Sequence, residues 1–230
     1  MANQSMTALV SAFARAYHAA EDGEHVFVDS LARTILGETD YDRIAAEWSA
    51  GAKIFAPDFE GDSEQALHCV VNRILAGAPL ARAAFAEGEL RYAVAQGAEQ
   101  LSVQPDFDRQ ADSFCSLLGL SYYLTEPEFT SLLTNLRKLL SKSRIAFDFP
   151  LSTGGTDDIS ALAAAAGERM RAQYTPESME RLLRDCGWRV RERLSPENIE
   201  QRYFSAYNAV HSQTPIQLAQ RISLCCAETE

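Results

Sequence analysis

DSFCSLLGLSYYLTEPEFTSLLTNLRKLLSKSRIAFDFP, residues 112–150, decides the fold. Its first piece, Asp112 to Leu124, is a short apolar run without helical spacing, interrupted by Gly119, which suits a buried strand. Thr125 can cap a helix, with Pro127 in the first turn and Glu126 and Glu128 at its positive end. Phe129, Leu132, Leu133, Leu136, Leu139 and Leu140 then recur at intervals of three and four, the spacing of one helical face. Arg144–Phe149 reads as a second strand that Pro150 stops. Strand, helix and strand in this length make a crossover, so the two strands are expected to run parallel with a right-handed connection.

Outward from this unit, composition narrows the class. The chain has 230 residues, 47% of them hydrophobic, which is enough for a real core and excludes a disordered chain. The net charge of −11 comes from scattered acids, a surface that repels nucleic acid and anionic membranes. No apolar run approaches eighteen residues, and Met1-Ala-Asn-Gln-Ser-Met lacks the basic segment and apolar core of a signal peptide. Cys69, Cys115, Cys186, Cys225 and Cys226 show no ligand spacing and an odd count, as expected of reduced thiols in a cytoplasmic protein.

Upstream, Leu9, Val10, Phe13, Ala14 and Tyr17 have helical spacing over residues 6–21. Asp29 or Ser30 can cap a second helix that stops at Gly37. Residues 38–63 read as helical connections and loops around Trp48, Ile54, Phe55 and Phe59. Residues 64–97 read as helix with a break at Gly77 and Pro79. Glu99–Val103 reads as a short strand. Downstream, Ile159–Arg171 is an alanine-rich helix. A further helix has Thr175 as cap and Pro176 at its first position, and its Leu182 and Leu183 pack inward before Gly187 ends it. Trp188–Leu194 is a strand with Trp188 in the core, and QLAQRISLCCAE closes the chain as a helix or strand.

The chemistry-bearing residues form no metal or nucleophile signature. His18, His25, His68 and His211 make no metal spacing, and the expectation is ordinary packed or surface histidines. There is no Gly-x-Ser-x-Gly elbow or phosphate loop. Cys115 reads as a structural thiol. Tyr122 and Tyr123 stand where a strand's carboxyl edge meets the crevice of an open sheet, and alternation sends one ring each way. Asp148 stands near the end of the next strand. Arg15 and Arg202 can hold a substrate carboxylate or phosphate, or can pair with surface acids.

The run from Ser116 through Pro150 resembles the fourth-strand-to-fifth-strand unit of the leucine carboxyl methyltransferase-like family, which are class I S-adenosylmethionine (SAM) methyltransferases. The N-terminal residues Thr7, Ala8, Arg15, Ala16, Asp29, Leu31 and Ala32 are similar to its helical segment over the active site. Arg82 matches one of the family's basic positions, while Ala84 stands at another. The RYF triplet at 202–204 and the closing segment also resemble it. In the family the first strand runs into a Gly-Ala-Gly-Leu-Asp loop, and an acid after the second strand binds the ribose. Here Val103 is followed by Gln104-Pro105-Asp106-Phe107-Asp108, no glycine occurs between Gly97 and Gly119, and Gly154-Gly155 come too late. The loop, second strand and third strand are expected to be missing.

The fold expected is therefore α/β, a reduced Rossmann-like sheet of the class I methyltransferase kind with flanking helices and a helical N-terminal cap. Residues 1–97 form the cap and lead-in helices, and residues 98–230 the truncated core. The resemblance implies a protein of small-molecule biosynthesis that has lost its SAM site and uses no cofactor. Three function classes stay open. One is an enzyme of intramolecular substitution, cyclisation or elimination. The second is a non-catalytic subunit of a related enzyme, and the third an O-methyltransferase with a non-standard cofactor site. The candidate catalytic residues are Tyr122, Tyr123 and Asp148, and the candidate substrate-binding residues Arg15, Arg82 and Arg202, with no metal. The expected partners are a small-molecule substrate and a second copy or a partner enzyme, covering the sheet edge that missing strands leave.

Overall fold

The computed structural model describes residues 5–99, 108, 110–140, 142–152, 158–165 and 167–229. In chain order these form α1 (Met6–Ala19), α2 (Ala32–Leu36), α3 (Glu38–Ala50), α4 (Ala52–Phe55) and α5 (Ser63–Val70). A π-turn (Val71–Leu75) leads to α6 (Gly77–Ala95), followed by β1 (Ser113–Leu117), α7 (Glu126–Leu139), β2 (Ser143–Pro150), α8 (Asp158–Ala165), α9 (Pro176–Asp185) and β3 (Trp188–Leu194). The chain closes with α10 (Pro196–Ile199), a second π-turn (Glu200–Phe204), α11 (Ser205–Val210) and β4 (Ile222–Thr229). They divide between two compact units, each discontinuous in sequence. The first is Met1–Ala84, Asp157–Glu168 and Glu197–Gln220. The second is Phe85–Thr156, Arg169–Pro196 and Arg221–Glu230.

The second unit holds a mixed four-stranded sheet in the order β1-β2-β4-β3. β1 and β2 are parallel, Ser113 beside Ser143 through Leu117 beside Phe147, as the crossover reading requires. β4 runs antiparallel to both β2 and β3, with an irregularity between Val190 and Glu192. Alternation along β2 sends Ile145, Phe147 and Phe149 to one face. There they meet Phe129 and Leu133 of α7 and Met179, Leu182 and Leu183 of α9. Burying one such aromatic or aliphatic side chain stabilises by roughly 1.5–3 kcal/mol, so this layer dominates the unit's stability. Trp188 is buried among them, its indole Nε1 donating to Leu133 O at 3.0 Å. Thr125 with Glu128 and Thr175 with Ser178 form the two expected caps.

The first unit is helical. Ser5 caps α1, and its Oγ accepts from Ala8 N at 3.2 Å. The Glu168 carboxylate takes Ser5 Oγ at 3.0 Å and Met6 N at 2.7 Å on the same helix end, where positive dipole and unpaired amides favour an anion. Asp29 Oδ1 accepts from Leu31 N and Ala32 N at 3.1 and 3.0 Å, capping α2 as expected, and Gly37 ends it with φ +81°. Ala52, Ala56, Cys69 and Val70 form a small core under Trp48, Phe55 and Phe59.

Three expectations need correction, and one break is borne out. The first strand stops at Leu117, because Gly119 adopts φ +68° and the chain turns until Thr125. Tyr122 and Tyr123 therefore sit in a turn and not on a strand. Residues 38–50 are a full helix rather than mixed connections. The expected break at Gly77 and Pro79 is present: the chain bends by 60° between the helical stretch Ser63–Leu75 and α6, which opens at Gly77 with Pro79 in its first turn, where an amide has no intrahelical partner to lose. The alanine-rich helix ends at Ala165, where Gly167 at φ +80° turns the chain and sends Glu168 back to α1. Of the expected strand Glu99–Val103, only Glu99 is described, its N–H donating to Asp112 O at 2.9 Å; the rest lies outside the described residues, as do Gly154 and Gly155. No single helix among the described residues is long and apolar enough to cross a membrane.

Gly77 opens α6 against the segment 214–218. A Cβ there would stand 2.1 Å from Gln217 O, a backbone atom that Gln217 N fixes by donating to Asn72 O at 3.0 Å. Gly77→Ala, normally stabilising within a helix, is expected to cost about 1–3 kcal/mol here through forced backbone movement. A urea denaturation midpoint equal to or above that of the wild type would contradict this close approach.

Candidate functional site

In the second unit the candidate residues gather at the carboxyl end of β2. Asp148 is fully buried on the face opposite Phe147 and Phe149. Its Oδ1 accepts from Gly119 N at 2.7 Å, and its Oδ2 accepts from the buried Tyr122 hydroxyl. Ser121 Oγ donates to Asp148 O at 2.7 Å. Three consecutive contacts thus fasten the turn after β1 onto the end of β2. Arg171 N donates to Tyr122 O at 2.7 Å and brings residues 169–174 to the same turn. Tyr123 is half-buried, its ring centroid 6.3 Å from that of Tyr122. A buried carboxylate needs several donors to offset desolvation, and the turn supplies them.

The three arginines belong to the first unit. Arg15 Nε donates to Asp29 Oδ2 at 2.8 Å and Arg15 Nη1 to Ser11 O at 3.3 Å, so its guanidinium is engaged by the residue that caps α2. Arg82 is half-buried on α6, and Arg202 is exposed with its guanidinium 5.8 Å from the Tyr203 ring. The structure therefore brings together Tyr122, Tyr123 and Asp148 in the second unit, while Arg15, Arg82 and Arg202 lie in the first. The thiols are unpaired, and burial pushes Cys226 up to about 12 and raises Cys69, Cys115 and Cys225. That is inert, structural behaviour.

One constellation in the first unit escapes sequence reading. All four histidines converge there. Glu21, just beyond α1, has its Oε2 bonded by the Tyr207 hydroxyl at 2.7 Å, with His18 Nδ1 at 3.4 Å, and its Oε1 lies 3.2 Å from His68 Nε2. His25 Nε2 lies 3.0 Å from Glu21 O, and the His211 ring stacks on Tyr207 with centroids 4.1 Å apart. Asn72 Nδ2 reaches both Tyr207 Oη at 3.1 Å and Thr214 O at 2.8 Å. Burial works to raise the Glu21 carboxyl, yet His18, His68 and Tyr207 carry it down to about 2. Burial and the Glu21 charge push the Tyr17 hydroxyl up to about 12, and they raise Tyr207 further. The spacing of His18 and Glu21 on one helical turn is the only local signal of this cluster. His68, Asn72 and Tyr207 arrive from distant segments, so no motif announces it. Among the described residues no group of His, Cys, Asp and Glu has metal-binding geometry.

Comparison with known proteins gives three kinds of likeness. A family profile described as leucine carboxyl methyltransferase matches residues 8–103, less than half of the chain. YktD of Bacillus subtilis (strain 168), provisionally named an S-adenosyl-L-methionine-dependent methyltransferase, is 28% identical over 278 residues, covering 87% of this chain and 91% of YktD. Those 278 aligned positions exceed the 230 residues available, so YktD carries residues inside the aligned span that have no counterpart here. Among solved structures, one titled a pericyclic reaction enzyme is 12% identical with a TM-score of 0.36, covering 56% of this chain and 28% of that one. This chain thus spans under a third of that protein. Magnesium protoporphyrin IX methyltransferase (ChlM) of Synechocystis PCC 6803 is 14% identical with a TM-score of 0.33, covering 95% of this chain and 94% of that one.

Two outcomes test these geometries. Asp148→Ala removes the acceptor of the buried Tyr122 hydroxyl and the half-buried Gly119 amide and is expected to destabilise by about 3 kcal/mol, with Tyr122→Phe costing about 1 kcal/mol; equal urea midpoints would show that the turn does not depend on the carboxylate. The Glu21 carboxyl is held below its unfolded value, so the stability it contributes is complete above about pH 4.5 and lost as pH falls towards 2. Wild type minus Glu21→Gln stability is expected to shrink across that window, and a difference independent of pH would contradict the assignment.

Proposed function

We propose that this chain is a methyltransferase-like protein that works without SAM, in small-molecule chemistry that positions a substrate for intramolecular substitution, cyclisation or elimination. One observation carries this. Residues 96–112 are all that joins α6 to β1. A strand–helix–strand unit takes roughly 30 residues, so this link has no room for the two βα units that bear a glycine loop and a ribose-binding acid. Its one glycine, Gly97, has φ +98° and donates to Val94 O at 3.0 Å, so it serves to end α6. Gly119, at the carboxyl end of β1, has its amide taken by Asp148. On this reading the residues present do not fit a SAM cradle.

Within this proposal Tyr122 and Asp148 are positioning residues. They are buried and spend their polar atoms on each other and on the turn. Tyr123 in the second unit, or Arg82 and Arg202 in the first, remain candidates for touching substrate, whereas Arg15 holds Asp29. Positioning alone can supply much of a barrier for an intramolecular reaction, roughly 7–11 kcal/mol for well-oriented groups. A transferred methyl group is not required by that chemistry.

A second reading, a subunit of a related enzyme or of a homodimer, is favoured by a separate observation. Val28, Leu31 and Ile35 are large apolar residues around α2, and all three are exposed, Ile35 to 78%. Large exposed apolar residues close in sequence are a feature that interfaces use. The two readings combine if the partner covers the sheet edge and contributes catalytic groups.

Size-exclusion chromatography with light scattering, alone and after co-expression with the products of neighbouring genes, is expected to give a dimer or a defined heteromer. A stable monomer that recruits no neighbour would remove the subunit reading. Incubation with SAM labelled in its methyl group and with carboxylic acid and hydroxyl acceptors is expected to transfer no label. Label in any product would overturn the SAM-independent reading.

A further inference from the structure

We propose that the segment Asp158–Glu168 is a strap on the helical unit, and that the Glu168 carboxylate is its proton-operated latch. Ionised, the carboxylate holds the end of the strap on the start of α1. Protonated, it lets both ends go.

The strap is an excursion of the chain. Asp157–Glu168 belongs to the first unit, and the segments on either side of it, ending at Thr156 and beginning at Arg169, belong to the second. α8 fills most of the excursion, with Ala163 buried and Ala161, Ala164 and Ala165 exposed. Its end is a built cap. Glu168 N donates to Ala163 O at 2.8 Å, Gly167 N donates to Ala164 O at 3.0 Å, and Gly167 takes φ +80°. Those two bonds around a left-handed glycine are the Schellman pattern, so Glu168 leaves α8 on a fixed backbone.

What Glu168 meets is a set of donors. Its Oε1 accepts from Met6 N at 2.7 Å. Its Oε2 accepts from Ser5 Oγ at 3.0 Å, from Thr7 N at 3.3 Å and from the Thr7 hydroxyl. Met6 and Thr7 open α1, where amides have no partner within the helix. All four contacts need an acceptor. An ionised carboxylate offers acceptor sites alone, whereas a protonated one sets an O–H donor among donors. One proton therefore removes the charge that the positive end of α1 favours and turns a contact repulsive. Burial works to raise the Glu168 carboxyl, but the hydroxyls of Thr7 and Ser5 and the amides of Met6 and Thr7 carry it below its ordinary value of 4.5. These facing groups, from α1 and its cap, are neutral, and Ala163, Ala164 and Gly167 on the strap's own side are neutral too, so the proton that works the latch is the carboxyl's own. A carboxyl held low in the folded chain contributes stability that is complete above about pH 4.5 and lost as pH falls through its folded value.

Amide hydrogen exchange of the whole chain, read residue by residue by NMR, tests the latch, because local openings register below the free energy of global unfolding. At neutral pH the amides of Met6, Thr7, Gly167 and Glu168 are expected to be protected in the wild type. In Glu168→Ala they are expected to exchange about tenfold faster or more, the scale of one charge-assisted hydrogen bond. The amides of Phe147 and Trp188, in the sheet of the other unit, are expected to keep their protection and so report that the variant is folded. Glu168→Gln keeps the size of the side chain but sets N–H donors against donors, and is expected to behave as Glu168→Ala does. Acidifying the wild type to about pH 3, with exchange corrected for the intrinsic chemical rate, is expected to open the same four amides, and Glu168→Gln is expected to show no such response. Unchanged protection at these amides in Glu168→Ala, or the same pH response in wild type and Glu168→Gln, would overturn the proposal. Neither readout involves SAM, so SAM binding by the chain would overturn the proposed function and leave both results as they stand.

Discussion

Covalent reach between α6 and β1 is the constraint on which the rest depends. A helix that ends at Ala95 must deliver the chain to Ser113 through residues 96–112. That length is shorter than the roughly 30 residues of even one strand–helix–strand unit. The sheet is built accordingly from the downstream half of the chain. β1 and β2 come from the parallel crossover, and β4 inserts antiparallel between β2 and β3. The hydrophobic layer of Ile145, Phe147 and Phe149 against α7 and α9 gives the unit its core on that face.

Three buried or half-buried carboxylates do the long-range fastening. Asp148 ties the turn after β1 to β2, Glu168 closes the start of α1, and Glu21 gathers segments around residues 18, 68 and 207. Each satisfies amides or hydroxyls that no helix or strand can serve, which offsets its desolvation. Asp148 and Glu168 spend their oxygens on backbone amides and hydroxyls. Glu21 differs because two of its neighbours are imidazoles, His18 Nδ1 at 3.4 Å and His68 Nε2 at 3.2 Å.

Legibility in the sequence followed the range of the interactions. The capped helices after Thr125 and Thr175, the crossover and the Trp188 strand were readable because propensity, capping and periodicity act over a few residues. The end of β1 was misread since the apolar run continues past Leu117. What stops the strand is Gly119 combined with a carboxylate from β2, residues far apart in the chain. Asp148 was legible as a special residue, but not as the holder of Tyr122. The histidine cluster was invisible because its members span residues 18 to 211 and their meeting depends on packing of the helical unit.

The central claim is that the chain between α6 and β1 leaves no SAM cradle. Isothermal titration calorimetry with SAM and with S-adenosylhomocysteine tests it most directly, because a cradle assembled by any route would register whether or not a methyl acceptor is known. No saturable heat is expected from either ligand at millimolar concentration. Binding of either at micromolar affinity would mean that other residues build the site, and would contradict the account.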